Sequence, residues 1–459
     1  MKPVVALVGR PNVGKSTLFN VLTRSRAALV ADIPGMTRDR QYGDGRIGDR
    51  PYFVVDTGGI VESLEAKSSR AELKDWVAEQ TRQALTEADA TILLVDARAG
   101  LQPSDREIVR ELRRLNKPLW LAVNKSEGLD RDVAMAEFHS LGLNEPIAIS
   151  AAHGEGVEHL MEQVLAELPR VEMETEPQDA PRIAVIGRPN VGKSSLINAL
   201  LGEDRVVVSD EPGTTRDAIH VPFERGDRRY VLVDTAGVRR RGRVQEAHEK
   251  FSVIKTLQAV AEADVAILVI DASEGMTEQD LGLAGYALEQ GRAMVVAVNK
   301  WDLLDRGERA WREQQVEHKL NFLDFAQVHY ISALRGDGIG ALFGSIDRAH
   351  ASAWLELPTS RLNRVVEAAI QAVPPPVRHG RRIRVKYAHQ GGKNPLRVIV
   401  HGNQVQALAA SYRRYLGNAV RKGFKIEGAP VIVETRQETN PYAGRAPKKP
   451  AQRRKRARK

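Results

Sequence analysis

Short runs of aliphatic and β-branched residues punctuate the chain, separated by longer stretches whose apolar positions repeat with helical period. In the first third the runs are Val4–Val8, Tyr52–Asp56, Thr91–Asp96, Leu119–Asn124 and Ile147–Ile149. Further on they are Ile183–Ile186, Tyr230–Asp234, Val265–Asp271, Met294–Asn299 and Val328–Ile331. Their apolar character is continuous rather than alternating, which predicts strands buried on both faces, and so an α/β architecture of mostly parallel sheets flanked by helices. None approaches the ~20 apolar residues that span a bilayer, and no targeting segment precedes the first run, so no membrane contact is expected.

The runs fall into two sets because the chain repeats itself. Gly9 to Ser16 returns letter for letter as Gly187 to Ser194, 178 positions on. Pro34-Gly35-Met36-Thr37-Arg38-Asp39 returns as Pro212-Gly213-Thr214-Thr215-Arg216-Asp217. Asp56-Thr57-Gly58-Gly59 returns as Asp234-Thr235-Ala236-Gly237. Asn124-Lys125-Ser126-Glu127 has its counterpart in Asn299-Lys300-Trp301-Asp302, and Ser150-Ala151 in Ser332-Ala333. The expected organisation is a first domain over 1–166, an acidic proline-punctuated linker over 167–181, a second copy over 182–355, a small α+β domain over 356–435 and a tail over 436–459.

Each motif follows an apolar run, and in open α/β sheets ligands bind at the C-terminal edge of the strands. The pattern from Gly9 through Gly14, Lys15 and Ser16, with Thr17 after it, is a phosphate cradle. Backbone N–H groups line it, Lys15 bridges the β- and γ-phosphates and Ser16 ligates Mg²⁺. Gly187, Gly192, Lys193, Ser194 and Ser195 repeat it. Asp56 and Asp234 place a carboxylate near Mg²⁺, while the backbone N–H groups of Gly59 and Gly237 face the γ-phosphate. Thr37 and Thr215 lie in polar loops from which they can complete the Mg²⁺ shell. In the next box an acid two residues after Lys125 or Lys300 can accept from N1–H and the exocyclic amine of guanine, a donor pair adenine lacks. This selects GTP and GDP. Glu127 is one methylene longer than Asp302 and makes the same bidentate bond if its loop shifts.

With these residues the chain resembles the TRAFAC class of GTPases and, within it, the EngA/Der family of tandem-GTPase ribosome-assembly factors, over about residues 1–436. The resemblance implies a cytoplasmic GTPase that binds the large ribosomal subunit and its rRNA late in assembly, and a KH-like fold for the small domain. It implies further that Asn12 and Asn190 help to hold K⁺, although the residues alone fit loop capping equally well. A monomer is expected. Where better-known small GTPases carry a water-orienting glutamine after DxxG, this chain has Ile60 and Val238, so slow intrinsic hydrolysis is expected. Arg38 and Arg216 are read as partners of Asp39 and Asp217 rather than arginine fingers. Arg239-Arg240-Arg241-Gly242-Arg243 places four guanidinium groups just after the second DxxG.

Charge sharpens the division of labour. The net charge of +9 averages two unlike parts: residues 1–355 carry 44 Lys/Arg against 54 Asp/Glu, residues 356–459 carry 24 against 5. Basicity confined to one end suits a polyanionic partner, and Tyr387, Tyr412 and Tyr415 lie among the basic residues as candidate base-stacking or core groups. No GxxG loop is present, so a protein-docking role stays open beside RNA binding. With almost no large apolar side chains, residues 436–459 are expected to be a disordered arm that engages phosphates or adheres without a dedicated site. There is no cysteine, which excludes disulfides, thiolate nucleophiles and Cys-ligated metal, and the eleven histidines show no metal-ligand spacing.

Overall fold

The computed structural model describes residues 2–23, 42–48, 50–57, 84–168, 180–202, 220–233, 253–376 and 383–437. It forms two compact units. One is built on residues 1–354 together with Ile426–Pro430, the other on Leu355–Lys425 together with the segment beginning at Val431.

The first unit holds two six-stranded sheets of the same topology. In the first copy the strands are β1 (Val4–Val8), β2 (Tyr42–Gly45), β3 (Tyr52–Asp56), β4 (Ala90–Asp96), β5 (Leu119–Asn124) and β6 (Ile147–Ala148), in the order β2-β3-β1-β4-β5-β6. In the second they are β7 (Arg182–Ile186), β8 (Val221–Arg225), β9 (Arg228–Val233), β10 (Val265–Asp271), β11 (Ala293–Asn299) and β12 (Gln327–Tyr330), ordered β8-β9-β7-β10-β11-β12. All neighbours are parallel except the outermost pairs β2·β3 and β8·β9.

Those two antiparallel edge strands are absent from the hydrophobic pattern for a physical reason. β2 reads Tyr-Gly-Asp-Gly and has no apolar run, and β8 alternates buried Val221 and Phe223 with exposed Pro222 and Glu224. A half-solvated edge needs only alternation, and an edge tolerates a proline that donates no ladder hydrogen bond. The inner strands are buried on both sides, as continuous apolarity requires. Val5, Leu7, Val54, Ile92 and Leu94 pack one face; Val4, Ala6, Phe53, Leu93, Val95 and Val123 pack the other. Fully burying each Leu, Val or Phe contributes roughly 1.5–3 kcal/mol of transfer free energy, so these strands carry much of the stability of the sheet. The second cluster also takes in Ile254, Leu257 and the edge of Tyr286 from the second copy, where Lys2 Nζ donates to Asp44 (2.8 Å) and Gln258 donates to Lys2 O (3.2 Å).

The helices that frame the sites are α1 (Lys15–Thr23), α2 (Pro103–Arg114), α3 (Arg131–Ala136), α4 (Val157–Ala166), α5 (Lys193–Leu201), α6 (Val253–Glu262), α7 (Glu278–Glu289), α8 (Arg306–Lys319) and α9 (Ile339–Ala353). Strand register does the positioning. β4 and β5 end together with Asp96 opposite Asn124, and β10 and β11 with Asp271 opposite Asn299.

The second unit runs α10 (Thr359–Ala372), β13 (Arg384–Gly392), β14 (Arg397–Asn403), α11 (Ala410–Phe424) and β15 (Ile432–Gln437). β14 is central, antiparallel to β13 and parallel to β15. The Asn363 side chain bonds both the N–H (2.7 Å) and the C=O (2.9 Å) of Ala388, tying α10 to β13. The three tyrosines separate here. Tyr412 donates to the carbonyl of Val373, which caps the C-terminus of α10 (2.6 Å), Tyr415 donates to the α10 carbonyl of Ala369 (2.9 Å), and Tyr412 is buried. Tyr387 is exposed and stacks on His401, with ring centroids 4.4 Å apart and His389 beyond them. Among the described residues no helix is long and apolar enough to cross a membrane.

Candidate functional site

In both copies the loop between the first strand and its helix takes the same backbone path. φ is positive at Asn12 and Gly14 (65° and 100°) and at Asn190 and Gly192 (63° and 95°). Gly14 and Gly192 are required twice over. The backbone angle disfavours an L side chain, and a Cβ would run into the carboxamide of Asn124 or Asn299. The loop opens onto the N-termini of α1 and α5, where N–H groups without helical partners and the helix dipole favour an anion. Lys15 Nζ donates to the loop carbonyls of Gly9 (2.9 Å) and Arg10 (2.7 Å), and Lys193 to Arg188 O (2.6 Å). Ser16 Oγ donates to Asp56 Oδ2 (2.7 Å), a hydroxyl–carboxylate pair of hard oxygens that suits Mg²⁺. Thr17, like Ser16, is exposed on the first turn of α1, and Ser194 and Ser195 are half-buried on the first turn of α5.

The asparagines join three loops. Asn124 Nδ2 donates to Val13 O in the phosphate loop (2.7 Å), and its Oδ1 accepts from the N–H of Ala151 (2.9 Å). Asn299 does the same with Val191 O and Ala333 N–H, both at 2.9 Å. Both carboxamides are buried, so these bonds are sheltered from water. Lys125 Nζ donates to Asn12 O (2.8 Å) and to Asp96 (2.6 Å), and Lys300 to Asp271. Burial opposes ionisation of Asp96 and Asp271, but the lysines and the N–H groups of the following turn outweigh it and hold both carboxyls below their usual range.

The acids of the Asn-Lys boxes, Glu127 and Asp302, stand beside Ser150 and Ser332 of the third loop. Ser332 foremost, with Arg335 and Arg309, holds the Asp302 carboxyl low. Around Asp302 lies a cavity of about 160 Å³ lined also by Trp301, Arg309, Tyr330, Ser332 and Arg335. Glu127 is held low by its own backbone N–H first, then by Ser150 and the charges of Arg98 and His153.

One supporting pair escaped the sequence reading. Arg10 Nε donates to Asp105 (2.7 Å), and Arg188 Nε donates to both oxygens of Asp280 (3.1 and 3.0 Å). Each aspartate is fully buried at the third position of its helix, where it also caps the N-terminus, and so anchors the phosphate loop to α2 or α7. The available signal was the identity of Arg10 and Arg188, with Asp105 and Asp280 kept in the same register as Asn124 and Asn299.

The structure therefore brings together Gly9, Asn12, Gly14, Lys15, Ser16, Asp56, Asn124, Lys125, Glu127, Ser150 and Ala151 at one sheet edge. Gly187, Asn190, Gly192, Lys193, Ser194, Asn299, Lys300, Asp302, Ser332 and Ala333 meet at the other. Thr37, Gly59, Thr215, Asp234 and Gly237 lie outside the described residues, as do Ile60, Val238 and the arginines of 238–243.

A family model described as a 50S ribosome-binding GTPase matches residues 4–125 and again 182–300, and one described as the KH-domain-like C-terminal part of EngA bacterial GTPase enzymes matches 356–436. The GTPase Der of Chromobacterium violaceum is 55% identical over 442 residues, covering 96% of this chain and 93% of that protein. That of Thioalkalivibrio sulfidiphilus is 54% identical, covering 97% and 95%. Among solved structures, Era in complex with MgGDPNP and a 16S ribosomal RNA fragment is 21% identical, covers 57% of this chain and 93% of that one, and has a TM-score of 0.30. With both copies matched and relatives similar from end to end, the chain belongs to the EngA/Der family of bacterial GTPases and hydrolyses GTP.

Proposed function

We propose that this GTPase acts on the large ribosomal subunit during its assembly in the cytoplasm, with two nucleotide sites governing how a basic C-terminal domain meets rRNA. The observation that carries the reading is the match of both copies to a family described as binding the 50S ribosome. The exposed Tyr387 stack on a strand bearing Arg384 and Lys386 supports an RNA contact, since aromatic rings beside cations suit unstacked bases and phosphates. The domain limits are those expected from the repeat: 1–166, 182–355 and 356–435, with the linker 167–181 and the tail 436–459.

Within each site Lys15 or Lys193 leaves the loop carbonyls to bridge the β- and γ-phosphates of GTP, neutralising charge that develops in the transition state. Ser16, Thr37 and Asp56, or Ser194, Thr215 and Asp234, would hold Mg²⁺, which supplies further charge neutralisation on the phosphates. The backbone N–H groups of Gly59 and Gly237 would donate to the γ-phosphate. Asn124 with Lys125 and Glu127, or Asn299 with Lys300 and Asp302, reads the base, and Ser150-Ala151 or Ser332-Ala333 closes over it. Asn12 and Asn190 would hold K⁺, which would supply further positive charge to the phosphates, and replacing K⁺ by Na⁺ is expected to lower turnover.

The test is sedimentation of the full chain, loaded with a non-hydrolysable GTP analogue, against purified large and small subunits. Nucleotide-dependent recovery with large subunits is expected, and recovery with neither, or with small subunits alone, overturns the reading. Turnover by Lys15→Ala and Lys193→Ala variants apportions hydrolysis between the copies.

A further inference from the structure

Because the chain carries its site twice, one copy serves as the control for the other. Asp96 corresponds to Asp271 and Asn124 to Asn299 at a constant spacing of 175, so Arg98 corresponds to Ser273. These two residues behave differently. The Arg98 guanidinium donates to Glu127 Oε1 (3.2 Å), to Glu127 O (3.2 Å) and to Lys125 O (3.4 Å). Ser273 turns instead onto Asp271 (2.6 Å) and does not engage the acid of its copy. Asp302 is met from the opposite loop by Arg335 (3.3 Å), whose counterpart His153 bonds Ser150 (2.9 Å). Where the first copy has arginine at position 98 with glutamate at 127, the second has serine at 273 with aspartate at 302, and the arginine that meets its acid comes from the loop after β12.

The extra methylene of Glu127 adds a rotatable bond and carries the carboxylate farther from the backbone than Asp302 can reach. Unrestrained, it would spread over more rotamers and pay more entropy to meet a base. An ordinary exposed ion pair would do little about this. Arg98 differs because its planar fork is anchored on two carbonyls of the same loop while it holds the carboxylate, so it fixes the direction in which the acid folds.

We propose that Arg98 is a positioning residue for base recognition in the first copy: it draws the longer Glu127 side chain back so that its carboxylate meets guanine as Asp302 does in the second copy, and thereby sets the preference for guanine over hypoxanthine. The proposal rests on the reading of Glu127 as the base-reading acid.

The experiment uses the full chain with its second site silenced by Lys193→Ala, and measures GDP and IDP affinities by calorimetry. IDP lacks the exocyclic amine, so the GDP/IDP ratio reports the bidentate contact. Arg98→Ser lowers GDP affinity roughly tenfold with a much smaller effect on IDP, so the ratio shrinks. In a Glu127→Asp background, where the acid is already short, Arg98→Ser changes neither the affinity nor the ratio. An unchanged ratio in Arg98→Ser overturns the proposal, and so does an equal loss in both backgrounds, which would make Arg98 a general support of the loop. Glu127→Ala separates the two levels of inference. If it leaves the ratio intact, the reading of Glu127 itself fails. If it abolishes the preference while Arg98→Ser does not alter it, only the role of Arg98 falls.

Discussion

Replacing Asn299 by alanine tests whether the nucleotide site is assembled by its buried carboxamide. Asn299 is 3% exposed at the end of β11, donating to Val191 O and accepting from Ala333 N–H at 2.9 Å each. Alanine removes both bonds and leaves a carbonyl and an N–H without their partner. A buried polar group stranded in this way costs about 1–3 kcal/mol, so two cost about 2–6 kcal/mol before relaxation. Both groups lie in loops that can shift to admit water, which favours the lower half of that range, about 3 kcal/mol. Asn299→Ala lets the loops separate in the free protein, so nucleotide binding must draw them back together against this cost, and at about 1.4 kcal/mol per decade GDP affinity in the second copy falls roughly a hundredfold. Two-site calorimetry on the full chain should then show one site weakened about a hundredfold and the other within about threefold of its original value. Because the ties are intramolecular, the nucleotide-free protein should also melt earlier. A second site within threefold of wild type, with melting unchanged, would refute the claim that Asn299 holds three loops together.

Other outcomes follow from the same geometry. Gly14→Ala should abolish GDP binding at the first site while far-ultraviolet circular dichroism stays native, since its Cβ meets the Asn124 carboxamide rather than the core; binding within tenfold of wild type would contradict the steric account. Asp280→Ala removes both acceptors of Arg188 Nε on a side chain only 14% exposed, leaving it Glu274 and the Gly275 carbonyl, and should lower stability by about 2 kcal/mol, read as a lower melting temperature, whereas removing the exposed acid Glu274 should change it little. The carboxyls of Asp96 and Asp271 titrate below their unfolded value, so their contribution is fully present above about pH 4 and is lost as pH falls through the folded value. Urea midpoints between pH 5 and 3 should therefore fall less steeply in Asp271→Asn than in wild type, and identical slopes would exclude Asp271 as a contributor.

The repeat made most of the site legible in advance. Strands β1, β3, β4, β5, β7, β10 and β11 lie within a residue of the continuous apolar runs, and the phosphate loops and the Asn-Lys boxes follow β1, β7, β5 and β11, because a strand buried on both faces must be apolar throughout. What stayed hidden lacked such a signature. β2 and β8 are half-solvated edges. Asp105 and Asp280 look like ordinary acids in the first turn of an amphipathic helix until folding brings the loop arginine, 95 or 92 positions away, against them. Tyr412 and Tyr415 could have stacked on a base or packed on a helix, and only the approach of α10 gave their hydroxyls to Val373 and Ala369.

Residue order alone was enough to reveal a duplicated parallel sheet, a glycine-rich loop and an Asn-Lys-x-acid box in each copy, and a basic end set apart from an acidic body, since these depend on local spacing and composition. The tertiary structure decided which groups share a hydrogen bond across long separations. Asn124 serves Val13 and Ala151 at once because parallel register brings three loops to one sheet edge. Glu127 acquires Arg98 from the loop after β4, whereas Asp302 takes Arg335 from the loop after β12, because contacts between loops depend on side-chain reach, and one methylene alters that reach without altering the motif.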